Sequence, residues 1–225
     1  MIGIGFRVSL ALRSGCILAL LMLACGPTNA DYEPMPLHEL VVGSDLLVCG
    51  TIIEVQEETF QLKVLEVIRG NAPPERIEVR QFVDWSGNAR WMSYHPGQRV
   101  LLFLLKQAGD GDPSWQILGA GGEGEMPIEE GFIYCHGIFI PGFKQQWGFA
   151  VQGGTLNGYR FELGTFLSAI KGYHRCFRLK GPFLQRPRIL VRSCTDEAIE
   201  NYRRQSALHG YLIDVSLKQI DPIQK

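Results

Sequence analysis

Val100-Leu101-Leu102-Phe103-Leu104-Leu105 is an unbroken apolar run, entered from the turn Tyr94-His95-Pro96-Gly97-Gln98. A run this short, bounded by turn residues, suits a strand buried on both faces, because a strand with one face in water alternates. The segments on either side alternate in part. Upstream, residues 46–55 are rich in Leu, Val and Ile, and within residues 60–68 Phe60, Leu62 and Val64 alternate with Gln61 and Lys63. Gly70-Asn-Ala-Pro-Pro74 turns the chain, and Arg76-Ile-Glu-Val-Arg80 alternates again. Downstream, Gly109-Asp-Gly-Asp-Pro113 makes a hairpin-like turn into Trp115 to Leu118. Four or five strands at short spacing point to a small barrel or sandwich. Pro36-Leu-His-Glu-Leu-Val-Val-Gly43 precedes them as a brief helix, with proline at its start and glycine at its stop.

The second half is less regular. Residues 132–140 and 147–151 read as strands separated by Pro141-Gly142. Residues 161–170 place Phe166, Leu167 and Ile170 at helical spacing. Residues 188–192 are a further strand. Thr195 caps a helix through about Leu208, with Asp196 and Glu197 in its first turn and Gly210 at its stop. Tyr211, Ile213, Val215 and Leu217 alternate with their neighbours as a closing strand. The fold class is mainly β with a few helices, α+β. Residues 37–130 form a barrel domain, and residues 131–225 form a C-terminal extension of strands and helices packed on it.

The first residues carry a different signal. Arg7 and Arg13 precede the apolar stretch Cys16-Ile-Leu-Ala-Leu-Leu-Met-Leu-Ala24, and no acidic residue appears before Asp31. Basic, then apolar, then small is the layout of a secretory signal peptide spanning residues 1–24. The apolar core is shorter than the roughly 20 residues a transmembrane span requires. Leu21-Met22-Leu23-Ala24-Cys25-Gly26 resembles a lipobox, which would make Cys25 a lipidated N-terminus. Thr28-Asn29-Ala30 offers an alternative cut after residue 30, and both sites stay open. The expected location is the periplasm or cell envelope, lipid-anchored if Cys25 is the cut, or outside the cell, with contact to membrane only through such an anchor.

The formal net charge is −1 with no long run of either sign. That argues against nucleic acid as the main partner, since such binders usually present a basic face. Cationic residues gather locally at Arg175, Arg178, Lys180, Arg186, Arg188 and Arg192, which read as solvated strand and loop charges. Beyond the signal, Cys49, Cys135, Cys176 and Cys194 form an even set in an exported chain. Two disulfides are expected, with three possible pairings.

A family resemblance rests on the pattern Leu37…Val42-Gly-Ser-Asp-Leu-Leu-Val-Cys-Gly50, Phe60…Val64-Leu-Glu-Val-Ile-Arg-Gly70, Pro96-Gly97…Val100-Leu-Leu-Phe-Leu105 and Trp115…Gly119. Residues 37–130 are similar to exported bacterial domains with a netrin or metalloproteinase-inhibitor-like OB barrel. The resemblance implies a five-stranded closed sheet without an assigned activity. Inhibitors of that fold reach a protease's zinc through a Cys-x-Cys start. Cys25-Gly26-Pro27 lacks the second cysteine, which speaks against inhibition here.

No motif marks the chain as an enzyme, and none calls for a cofactor. Cys135-His136 and His174-x-Cys176 offer soft-metal ligands in one half of the domain, for an exported metal protein or metalloenzyme. The competing reading makes those cysteines disulfides. Gly119-Ala-Gly-Gly-Glu-Gly124 lacks the Lys-Ser/Thr of a phosphate loop and fits a close strand approach better. Glu123, Glu125, Glu129 and Glu130 read as a solvated edge that discourages strand addition. Trp85, Trp91 and Tyr94 cluster in a polar insertion. They either fold back over the barrel mouth or stack on a sugar or grip a protein partner. The expected function is therefore a non-catalytic envelope or secreted module binding a protein or glycan through its barrel loops.

Overall fold

The computed structural model describes residues 32–85, 88–107, 115–120, 122–181, 183 and 188–220. The segment read as a signal peptide, both expected cleavage sites, Cys25, the expected 109–113 turn and Arg186 lie outside the described residues. The chain divides into two compact units, 1–33 and 34–225, and the second carries all the secondary structure considered below. No described helix is long and apolar enough to cross a membrane.

Helix α1 (Leu37–Gly43) starts after Pro36 as its composition predicts. Five strands follow: β1 (Leu46–Val55), β2 (Thr59–Arg69), β3 (Arg76–Arg80), β4 (Arg99–Lys106) and β5 (Trp115–Ile117). Their order is β1-β2-β3-β5-β4, and β4 returns to pair with β1, closing a barrel. All pairings are antiparallel except β3 with β5. This is the closed, OB-like arrangement expected from the strand spacing and the resemblance together. Closure of so small a barrel demands strong local bending, supplied by three register shifts along β1. At Gly50 a Cβ would stand 2.6 Å from Leu62 Cγ and 2.7 Å from the Lys63 carbonyl, so only glycine lets β2 approach there.

The sheet then continues past the barrel. β6 (Glu125–Glu129) pairs with β4 beside β5, and β7 (Phe132–Cys135), β9 (Gly154–Glu162) and β8 (Gln146–Val151) follow in that spatial order. Helix α2 (Leu163–Cys176) leads to the hairpin β10 (Phe177–Lys180) and β11 (Ile189–Arg192), then to α3 (Asp196–Arg203) and α4 (Ala207–Ile220). Thr195 caps α3 by accepting from the Ala198 amide at 3.3 Å.

Strand β4 separates two cores. Val100, Leu102 and Leu104 point into the barrel with Leu46, Val48 and Phe60. Leu101 and Phe103 point the other way, joining Leu40, Phe166, Ile170 and Leu212 under the helices. Both sets are fully buried, which explains why the run shows no alternation.

Three expectations are corrected. The segment read as a closing strand at Tyr211–Leu217 is the middle of α4. Its buried residues, Leu208, His209, Tyr211, Leu212, Ile213 and Ser216, recur at three and four, and Ser206 Oγ accepts from the His209 amide at its start. Gly210 lies inside this helix and ends nothing; the preceding helix stops at Arg203. The acidic segment 123–130 is a solvated edge only at its end: Glu130 is exposed and Glu129 half-buried, but Glu123 and Glu125 are buried, and Glu125 opens an interior strand. Finally, one disulfide joins Cys176 to Cys194, while Cys49 and Cys135 are free and buried. These two thiols stand in one row across four strands, Cys49↔Leu101↔Met126 with Cys135 beyond, too far apart to bond.

Candidate functional site

The loop between β3 and β4 holds the three aromatic residues singled out in the sequence. Its anchor is Arg90, a residue without any distinguishing local motif. The Arg90 guanidinium meets Glu125 side-on, Nε to Oε2 at 3.1 Å and Nη2 to Oε1 at 2.8 Å. Nη1 donates to the Met92 carbonyl at 2.6 Å, and Nη2 also reaches Gln98 Oε1 at 3.1 Å. Trp91 and Tyr94 each lie with ring centroid 3.8 Å from the guanidinium carbon. The cation is therefore hydrogen-bonded around its edge and contacted by two aromatic rings, the condition under which a buried charge is tolerated.

The second layer is equally complete. Tyr94 donates its hydroxyl to Glu125 Oε2 at 2.8 Å and accepts from the Phe82 amide at 2.9 Å. Burial first, and the Glu125 carboxylate next, push the Tyr94 phenol above its ordinary pKa, so it stays a donor. Asp84 Oδ1 accepts from the Arg90 amide at 2.8 Å. His136 Nε2 sits 3.0 Å from the Glu125 carbonyl, which can only accept, so the proton is on Nε2. Burial holds this imidazole below its usual pKa and keeps it neutral. Arginine, glutamate, tyrosine and histidine converge here as in a catalytic centre, yet Glu125 is only 1% exposed and Trp91 only 7%. The cluster braces the loop against β6.

The brace fixes what the loop presents. Trp85 donates its indole N–H to the Ala120 carbonyl at 2.6 Å and pairs backbone with Asn88. The residue remains 41% exposed, and Val83 is 77% exposed. Below them opens a groove of about 410 Å³, with Arg80, Gln81 and Gln116 on its polar side and Phe82 and Ile117 on its apolar side. Gln116 Oε1 accepts from Gln107, which leaves its amide N–H groups for a ligand. Of the three aromatic candidates, Trp91 and Tyr94 fold inward and Trp85 alone faces out. Pocket-lining residues Arg80, Gln81 and Gln116 carry no motif. Their only sequence signal is position, at the ends of strands that the topology sets side by side.

The four sulfur and imidazole candidates are not brought together. Cys176 is bonded to Cys194. Cys135 Sγ lies against Met126 Sδ at 3.5 Å, and burial pushes its thiol pKa up. His136 belongs to the Glu125 network, and His174 sits in the last turn of α2. Among the described residues no group of three or more His, Cys, Asp or Glu side chains is placed to hold a metal ion. Cys49, whose thiol burial raises to about 12, is equally inert. The glycine-rich 119–124 segment binds no helix start. Gly119 and Gly122 take left-handed backbone at φ +94° and +75°, tightening the chain so that Glu123 tucks inside, where it accepts from the Met35 amide at 3.2 Å.

No protein-family model, curated protein or solved structure matches this chain.

Proposed function

We propose that the protein is an exported, non-catalytic binding module of the netrin-like OB type. It takes a glycan of the cell envelope into the groove beneath Trp85. One observation carries this reading: an indole held in place through its own N–H and 41% exposed, on a groove also lined by the Gln116 amide and the Arg80 guanidinium. A sugar ring offers an apolar face for stacking and hydroxyls for such donors. Because the loop is braced before any ligand arrives, little ordering entropy remains to oppose binding. Export is supported by the N-terminal layout and by a disulfide, which persists in oxidising compartments.

Trp85→Ala is the direct test, read by a glycan array and by titration of intrinsic fluorescence. Wild type should capture a glycan that Trp85→Ala does not, with both chains showing the same thermal midpoint. Equal glycan capture by Trp85→Ala would remove the groove from the account. Capture of a protein by wild type, with no glycan bound, would replace the ligand class. Mass spectrometry of the protein from its host tests export: an acylated Cys25 or a chain starting at Asp31 is expected, and an intact Met1 would overturn it.

A further inference from the structure

A second opening lies between α1 and the β10–β11 hairpin. It is a cleft of about 630 Å³ whose described lining comprises His38, Glu39 and Val42 of α1, Leu179 and Leu190 of the hairpin, Arg188, and Gln219 of α4. That volume is within the range of small-molecule sites. Its polar groups are incompletely paired. Arg188 Nη1 bonds Glu39 Oε2, and the guanidinium stacks 4.0 Å over the Phe183 ring. Its Nε is buried with no hydrogen-bond partner. His38 is 2% exposed; the Gln219 side chain favours its protonated form, and neither ring nitrogen has a partner at normal hydrogen-bond geometry. Buried polar atoms left this way cost about 1–3 kcal/mol each. Groups of this kind in a native structure point to something that satisfies them.

The chemistry of the lining defines what fits. Glu39 already balances Arg188, so a charged ligand would bury an uncompensated charge. Burial lowers the His38 pKa, opposed by Glu39 and by Gln219, so the ring presents one N–H and one bare nitrogen. Val42, Leu179 and Leu190 require an apolar portion. We propose that this cleft binds an uncharged secondary amide of the N-acyl kind. Its carbonyl accepts from Arg188 Nε–H, its N–H donates to the bare nitrogen of His38, and its acyl carbon packs on Val42, Leu179 and Leu190. The proposal does not rest on the Trp85 groove.

The test follows the His38 ring resonance of the full chain by NMR. N-acetylglucosamine, N-acetylalanine methylamide and methyl glucoside, which has no amide, are added to millimolar levels. Movement with either amide and none with methyl glucoside is the expected result. Response to the sugar alone, or to the amino-acid amide alone, identifies which source supplies the group. Binding in His38→Phe, read at neighbouring amides, should be about tenfold weaker or worse, while its thermal midpoint holds or rises because an unsatisfied polar group is gone. Arg188→Lys, which keeps the pair with Glu39 but withdraws Nε, gives the same loss in a second background. An unmoved His38 ring, equal movement with methyl glucoside, or undiminished binding in both variants overturns the proposal.

Discussion

Two arginine–glutamate pairs among the described residues, Arg90 with Glu125 and Arg188 with Glu39, join distant parts of the chain and are built differently. Arg90 and Glu125 meet through two parallel bonds, with the surrounding nitrogens and oxygens taken up by Met92, Gln98 and Tyr94. Arg188 and Glu39 touch through one nitrogen, remain partly open to solvent, and leave Nε and the nearby His38 without partners. In the first arrangement the pair itself is closed, with every guanidinium nitrogen bonded, and the buried, unpartnered nitrogen beside it belongs to the Trp91 indole. The second has an unfilled position on the guanidinium itself and a cleft beside it. A buried ion pair is thus no sign of function by itself; an unsatisfied atom of the pair that lines a cleft is.

The strongest way to break the comparison is Glu125→Ala. It leaves Arg90 buried without its counter-charge, and a loss of about 3–5 kcal/mol is expected in urea unfolding. Arg90→Met together with Glu125→Leu should recover much of that loss, because the desolvation cost disappears along with the pair. Next comes the staple of the other region. Cys176→Ala with Cys194→Ala frees the segment that carries Arg188, and should cost about 2–4 kcal/mol for a loop of 18 residues' separation. Glu39→Gln follows, at no more than about 1 kcal/mol in the same assay, because that pair is partly solvated. An effect matching Glu125→Ala would erase the distinction between the two pairs.

The smallest effect is pH-linked. His38 and His136 both have pKa values lowered on folding, by burial first. Between the folded value and the unfolded value of about 6.5, the unfolded chain binds more protons. Stability is therefore complete above about pH 6.5 and declines as pH falls below it. His38→Phe should remove part of that acid-side decline and leave the share due to His136, His174 and His209, whose pKa values burial also lowers. An unchanged pH profile in His38→Phe would show that the ring is hydrated rather than buried.

Much of the barrel was legible because its signals are local. Alternation in β2 and β3, the turn at Gly70 to Pro74 and the doubly apolar β4 each fix a strand within a short window. The edges of legibility have physical causes. In α4, Leu212 stands between Tyr211 and Ile213, so one apolar run satisfies a period of two and of 3.6 alike. Only the capping Ser206 distinguishes them. Glu125 reads as solvent-facing because its partner, Arg90, lies 35 positions away, and no periodicity encodes a charge pair across that distance. Trp85 and Trp91 look equivalent in sequence. Their different fates depend on which of them meets the guanidinium. The His38 cleft was invisible, since it is assembled from four elements that no window spans.

Strand β4 has a consequence for how this chain can be rearranged. Alternate residues of one strand serve two cores, so the barrel and its helical cover have no seam between them. A fragment ending after β6 would turn Leu101, Phe103 and Cys49 toward water, and a patch of that kind drives aggregation. The barrel is therefore not a unit that recombination can transplant alone. Its modularity is confined to the exposed part of the β3–β4 loop near Val83 and Trp85, because Arg90, Trp91 and Tyr94 of the same loop are built into the barrel.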